Sequence, residues 1–213
     1  MTPRFLWHME DVLELYCEPY DPERPVVCVD ELSYQLLSQA REPLAAQPGR
    51  ARREDYEYHR EGTCNLFIAV EPQAGRRLVE VTARRTNQDF GRFLQELADV
   101  HYPEVAMIRL VCDNLNTHSP GALYETFPAA EARRLTRRFE WHYTPTHASW
   151  LNMAEIEIGV LKRQCLKRRL ASAEEVSGEV AVWQNQRNAQ QATITWSFTA
   201  ADARTKLGRF YEL

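Results

Sequence analysis

The 213-residue sequence has no C-x-x-C pair, and its five cysteines (Cys17, Cys28, Cys64, Cys112, Cys165) are odd in number and widely spaced. That pattern excludes a disulfide framework and a structural zinc site, and it fits reduced thiols in a cytoplasmic protein. No apolar run approaches the ~20 residues that cross a bilayer. Charges interrupt the apolar residues of the opening MTPRFLWHMEDVLELY, so neither a membrane partner nor a signal peptide is expected. Internal repeats and low-complexity tracts are missing as well. Positive charge is not in excess either: the net charge is −4, which argues mildly against a nucleic-acid binder. What remains is a composition of 44% hydrophobic and 10% aromatic residues, enough for the full core of one domain, or of one domain with an added helical segment. Basic residues nonetheless gather in GRARRE (49–54), ARRLTRRF (132–139) and LKRQCLKRR (161–169). Any one such cluster reads as a solvated face.

Periodicity orders the chain. Phe5, Met9, Val12, Leu13 and Tyr16 recur at helical intervals, so a short amphipathic helix leads in over 4–16 and a Pro-rich break follows. VVCVD (26–30) reads as a buried strand ending at Asp30. Residues 40–62 read as a long irregular basic excursion, and loops of that length are usually functional or mobile. TCNLFIAVEP and RRLVEVTARR flank a Gly turn as a strand pair (63–72 and 76–85). A helix over 87–102, a strand over 105–113 ending in Asp113, a Ser119-Pro120 helix start and a helix over 128–138 come next. A strand at 140–144 then leads to the helix bearing Glu155, and helices over 172–190 and after Thr199 close the chain. A hairpin followed by crossover helices implies a mixed α/β sheet flanked by helices.

Two buried-looking strands, VVCVD and MIRLVCD, end in an aspartate. Ligands of α/β sheets bind at the carboxyl ends of strands, so Asp30 and Asp113 would meet there if the strands are neighbours. With a glutamate from the later helix they form an all-oxygen set, suited to Mg²⁺ or Mn²⁺ rather than zinc. His118, His142 and His147 fit no zinc spacing. The helix dipole favours acids in the first turns of a helix, an account that covers Glu155 and Glu157 alike. A helical wheel separates the two. Trp150, Leu151, Ala154, Ile158, Leu161 and Cys165 make one apolar stripe, and Met153, Ile156 and Val160 make a second. Glu157 falls between the stripes, where a metal or DNA finds little room. Glu155 shares a polar sector with Asn152, Gly159, Lys162 and Arg163.

CVDE (28–31), VCDNLNTHS (111–119) and HYTPTHASWLNMAE (142–155) resemble the three acidic motifs of DDE transposases, in particular the bacterial insertion-sequence branch of the mariner superfamily. The likeness runs from about residue 24 to 211. It implies an RNase H-like catalytic domain over 24–213, with 1–23 as a lead-in helix or linker, 40–62 as an inserted basic loop and 172–213 as C-terminal helices. It implies Asp30, Asp113 and Glu155 as the catalytic metal ligands, two Mg²⁺ or Mn²⁺ ions, and DNA cleavage and strand transfer on transposon ends and a target. Asn114, His118 and Asn152 match motif neighbours that support the site or touch DNA, and Lys162 and Arg163 extend that face. The arginines of the inserted loop, Arg50, Arg52 and Arg53, would clamp DNA or a partner protomer, which allows a homodimer. The location implied is the cytoplasm, in association with the nucleoid. A plain RNase H-like nuclease, or an inactive DNA-binding remnant of a transposase, are the competing readings. Between Asp113 and Glu155 lie 41 residues, somewhat more than the family pattern, so an extra turn or loop is expected there. Family members carry helix-turn-helix modules before this domain, and the sequence begins without them.

Overall fold

The computed structural model describes residues 2–51, 53 and 55–211. A first helix, α1 (Pro3–Cys17), starts at a Thr2 cap with Pro at its first position, the arrangement that suits a missing N–H. Its face of Leu6, Met9, Val12, Leu13 and Tyr16 is buried. The chain then builds β1 (Val26–Gln39), β2 (Tyr58–Glu71) and β3 (Arg76–Thr82), an antiparallel meander. Helix α2 (Asn87–Glu96), closed at its start by a Thr86–Asp89 capping box and extended by a π-helical turn to His101, crosses to β4 (Ile108–Cys112). Helices α3 (Gly121–Thr126) and α4 (Ala129–Thr136) cross to β5 (Phe139–Tyr143). After a 3₁₀ turn at Ser149–Leu151 come α5 (Met153–Gln164), α6 (Ala173–Ala189) and α7 (Ala200–Lys206). The five strands lie in the order β3-β2-β1-β4-β5, with β1, β4 and β5 parallel.

The period-2 alternation of β1 and β2 feeds two cores, one on each face. Val26 and Cys28 join Leu66, Ile68, Val70 and Val111 beneath α1, α5 and α6. Val27 and Val29 join Phe67, Ala69, Ile108 and Leu110 beneath α2, α3 and α4. The N-terminal helix is built into the first of these cores, and Tyr16 Oη donates to the Leu151 carbonyl at 2.8 Å, just ahead of α5.

Several boundaries differ from the sequence reading. β1 does not end at Asp30; it continues to Gln39 because β2 stays paired with it beyond the point where β4 departs. The alternation of Leu32, Tyr34 and Leu36 with Glu31, Ser33 and Gln35 is the strand signal in that stretch. The irregular excursion over 40–62 therefore shrinks to a hairpin arm whose second strand begins at Tyr58, with isolated bridges Leu44–Arg53 and Gln47–Arg50 near its tip. Gly49, at φ 78°, makes the reversal there. The helix expected over 128–138 ends at Thr136, and α3, expected to start at Ser119-Pro120, begins at Gly121 with Pro120 rather than Ser119 at its N-cap. Trp150 and Ile156, placed in apolar stripes, are 47% and 43% exposed. Trp150 lies in the 3₁₀ turn, where the 3.6-residue period no longer applies, and Ile156 shares the open side of α5 with Glu155. Among the described residues no helix is long and apolar enough to cross a membrane.

Candidate active site

The parallel ladder between β1 and β4 runs from Val26–Arg109 to Cys28–Val111 and stops there. Carried forward two residues, the same register would set Asp30 opposite Asp113, and Asp30, still within β1, lies on the face of Cys28. That is the face covered by α5, whose Ala154, Ile158 and Leu161 pack into the same core. A helix anchored by those residues carries Glu155 in its first turn, exposed at the edge of the sheet.

Asn152 makes the junction. It is fully buried, caps α5 by accepting from Ala154 N at 3.1 Å, and donates from Nδ2 to the Val29 carbonyl (2.9 Å) and to Asp30 Oδ2 (3.3 Å). One side chain thus starts the helix of Glu155 and holds the strand of Asp30. Asp30 is 9% exposed, and its other carboxylate oxygen accepts from Glu31 N at 2.8 Å. Burial lifts its pKa from 3.8 to about 7, against the pull of the Glu31 N–H, with the charges of Glu155, Glu31 and Asp113 adding to the rise. Among the described residues no lysine or arginine pairs with Asp30 or Glu155. The arrangement concentrates negative charge on a rim that a cation would neutralise, and its all-carboxylate donors suit a hard divalent ion. Among the described residues no three His, Cys, Asp or Glu side chains are grouped so as to hold a metal ion.

Asp113 sits just past the end of β4, and its Oδ1 accepts from Leu115 N (2.9 Å) and faces His118 Nδ1 at 2.6 Å. Burial pushes its pKa up, but the bonds from His118 and Leu115 outweigh it and leave the group below the ordinary value. His118 is 1% exposed and lies against Phe90, with ring centroids 4.6 Å apart. Its Nε2 stands 2.8 Å from Glu31 Oε2, off the line of a hydrogen bond, so that contact is an ion pair rather than a directed bond. Burial lowers the pKa of His118, yet Asp113 and Glu31 together raise it to about 9. Asn114 is exposed and donates from Nδ2 to the Thr144 carbonyl (2.6 Å), tying the loop after β4 to the end of β5.

Other sequence candidates lie farther out. Lys162 and Arg163 are exposed on α5, about two turns beyond Glu155. Arg50 and Arg53 are exposed near the tip of the hairpin arm, and Arg52 lies outside the described residues. His142 joins Asp11 of α1 (2.9 Å) and Glu140 (3.2 Å), and His147 is exposed in the loop after β5, so the three histidines form no common site.

Glu157 is not a helix-start acid comparable to Glu155. It is fully buried between Arg77 of β3 (2.7 Å) and Arg187 of α6 (2.7 and 3.1 Å), a strut joining three elements. The wheel placed it in the core but could not supply its partners. Glu31 also escaped the sequence reading, although it stands inside the CVDE motif: strand alternation puts it on the opposite face from Asp30. Arg169 escaped too. Its guanidinium reaches Gln39 Oε1 (2.7 Å) and the carbonyls of Asp55 (2.8 Å), Tyr56 (3.3 Å) and Glu57 (3.0 Å), fastening the base of the hairpin arm.

A five-stranded mixed sheet of this order, with acids at the place where its parallel strands part, is an RNase H-like domain. The same fold is found in the Mos1 mariner paired end complex with Mn (TM-score 0.57, 15% identity, 90% of this chain and 59% of that one). The Mos1 strand transfer complex (0.58, 15%, 89% and 56%) and a pre-cleavage Mos1 transpososome (0.55, 13%, 90% and 63%) share it as well. Residues 25–177 match the DDE superfamily endonuclease family, and the chain belongs to that family. It spans 56–63% of the length of those Mos1 chains. Comparison with curated protein sequences gives no match.

Proposed function

We propose that this chain is the catalytic domain of a mariner-type transposase of the bacterial insertion-sequence kind, cutting DNA and joining its ends to a target. What supports this reading is that Asp30 is buried, has no cation partner among the described residues, and feels the charges of Glu155 and Asp113. Residues 24–213 form the catalytic domain, with the helix of the first 23 residues packed into its core. Asp30, Asp113 and Glu155 would hold two Mg²⁺ or Mn²⁺ ions. Bound there, the ions supply the acidity that activates a water or a 3′-hydroxyl and stabilises the departing oxygen. The protein's own contribution is placement. Asn152 fixes Asp30 and the start of α5 as one unit, so the strand acid and the helix acid keep a set separation. Lys162 and Arg163, exposed on α5, and Arg50 and Arg53, exposed near the arm tip, would contact phosphates of transposon ends or target DNA, as would Arg52.

The test is a Mn²⁺-dependent assay on oligonucleotides bearing the element's ends, run in the full-length protein. Cleavage followed by joining to a second duplex, abolished by Asp30→Asn, supports the transposase reading. Cleavage with no joined product returns the chain to a plain nuclease. No reaction by the wild type, with no Mn²⁺ bound, sinks both.

A further inference from the structure

The backbone ladder between β1 and β4 ends at Cys28–Val111, two residues short of the acids it is meant to align. Beyond that point β1 stays paired with β2, but Asp113 lies past the end of β4 in a stretch with no strand hydrogen bonds of its own. Something else must hold Asp113 opposite Asp30. A side-chain bridge spans that gap. His118 Nδ1 stands 2.6 Å from Asp113 Oδ1, and its Nε2 stands 2.8 Å from Oε2 of Glu31, the residue that follows Asp30 in β1. The side chains of His118 and Glu31 are 0% and 6% exposed, and Phe90 backs the imidazole. Arg85 holds the other oxygen of Glu31 at 3.2 Å.

We propose that Glu31 is a positioning residue for the metal-binding site, acting through His118 to aim Asp113. Glu31 would not touch an ion held by Asp30, since it projects from the α2 face of the sheet while Asp30 projects from the α5 face. Asp113 Oδ1 is committed to His118 and Leu115 N, so Oδ2 is the oxygen left for a cation. Partners held directly against a metal ligand, as His118 is against Asp113, commonly cost roughly 10–100-fold in metal affinity when lost, and Glu31 stands one step behind that ring.

This inference rests on the metal reading proposed above, and its test separates the two. Mn²⁺ binding to the chain is measured by electron paramagnetic resonance for the wild type, Asp30→Asn, Glu31→Gln, His118→Gln and the Glu31→Gln/His118→Gln pair. The expected result is Mn²⁺ bound by the wild type, lost in Asp30→Asn, and weakened about tenfold in Glu31→Gln. The double variant should then bind no more weakly than His118→Gln alone, because Glu31 works through that ring. Wild-type affinity in Glu31→Gln, or losses that simply add in the double variant, overturns the inference while leaving the metal site standing. No Mn²⁺ bound by the wild type overturns the metal reading itself. If Glu31→Gln does not fold, Glu31→Asp, which keeps the charge but shortens the reach by one methylene, carries the same expectation and the same overturning result.

Discussion

Glu155 and Glu157 are two residues apart on one helix, yet their surroundings make them chemically unlike. Glu155 is exposed at the acid rim, so Glu155→Gln should abolish DNA cleavage and joining while the thermal midpoint stays within a few degrees of wild type. Glu157→Gln leaves two arginines facing a neutral amide in a site with no exposure, and should cost about 3 kcal/mol or more of stability by denaturant titration. Equal melting of the two variants would mean the buried strut contributes nothing. Asp30 has its own pH signature. Its folded pKa, about 7, lies above its ordinary 3.8, so the folded chain binds more protons between those values and loses stability as pH rises through that window. His118, raised from 6.5 to about 9, has the same sign: its contribution is complete below pH 6.5 and fades toward pH 9. In the metal-free chain the midpoint should therefore fall from pH 4 to 7, and Asp30→Asn should flatten that slope while leaving the alkaline one.

At the scale of elements, the long β1–β2 hairpin separates the site from the arm it projects. The arm beyond Gln39 has few ladder bonds of its own and depends on Arg169, which also lies over the Tyr58 ring at 5.4 Å. Arg169→Ala should speed proteolysis between residues 40 and 57 without changing the protection of the core strands, as measured by limited digestion. The DNA-contacting role proposed for the arginines of this stretch has its own test. Replacing Arg50, Arg52 and Arg53 with Ala should weaken DNA binding and reduce the slope of log K against log salt by up to about 3, near one unit per lost phosphate contact. An unchanged slope would make the tip an ordinary solvated turn.

For the whole molecule, a sheet covered on both faces leaves its acids at an edge where burial and exposure meet. In the proposed site three like charges meet there, and a bound cation would relieve their repulsion. Saturating Mn²⁺ should raise the thermal midpoint of the wild type, because an ion that binds only the folded chain stabilises it by mass action. Asp30→Asn should melt higher than wild type without the ion and gain little from it. A Mn²⁺-induced rise as large in Asp30→Asn would place the ion elsewhere.

The mixed sheet, and a buried Glu157 beside an exposed Glu155, were legible in the sequence, because strand alternation and helical period are local patterns. The course of β1 past Asp30 was half legible. Its Leu32-Tyr34-Leu36 alternation is local, but only the continued pairing with β2 makes it a strand. The tertiary structure alone decided the partners of charged residues: Glu157 with Arg77 and Arg187, Arg169 with the arm, and Glu31 with His118. These pairs join residues 30 to 114 positions apart, distances over which no sequence period carries information. A buried charge finds its counterion only when the sheet and helices bring distant segments together, and burial is what makes each of those meetings matter.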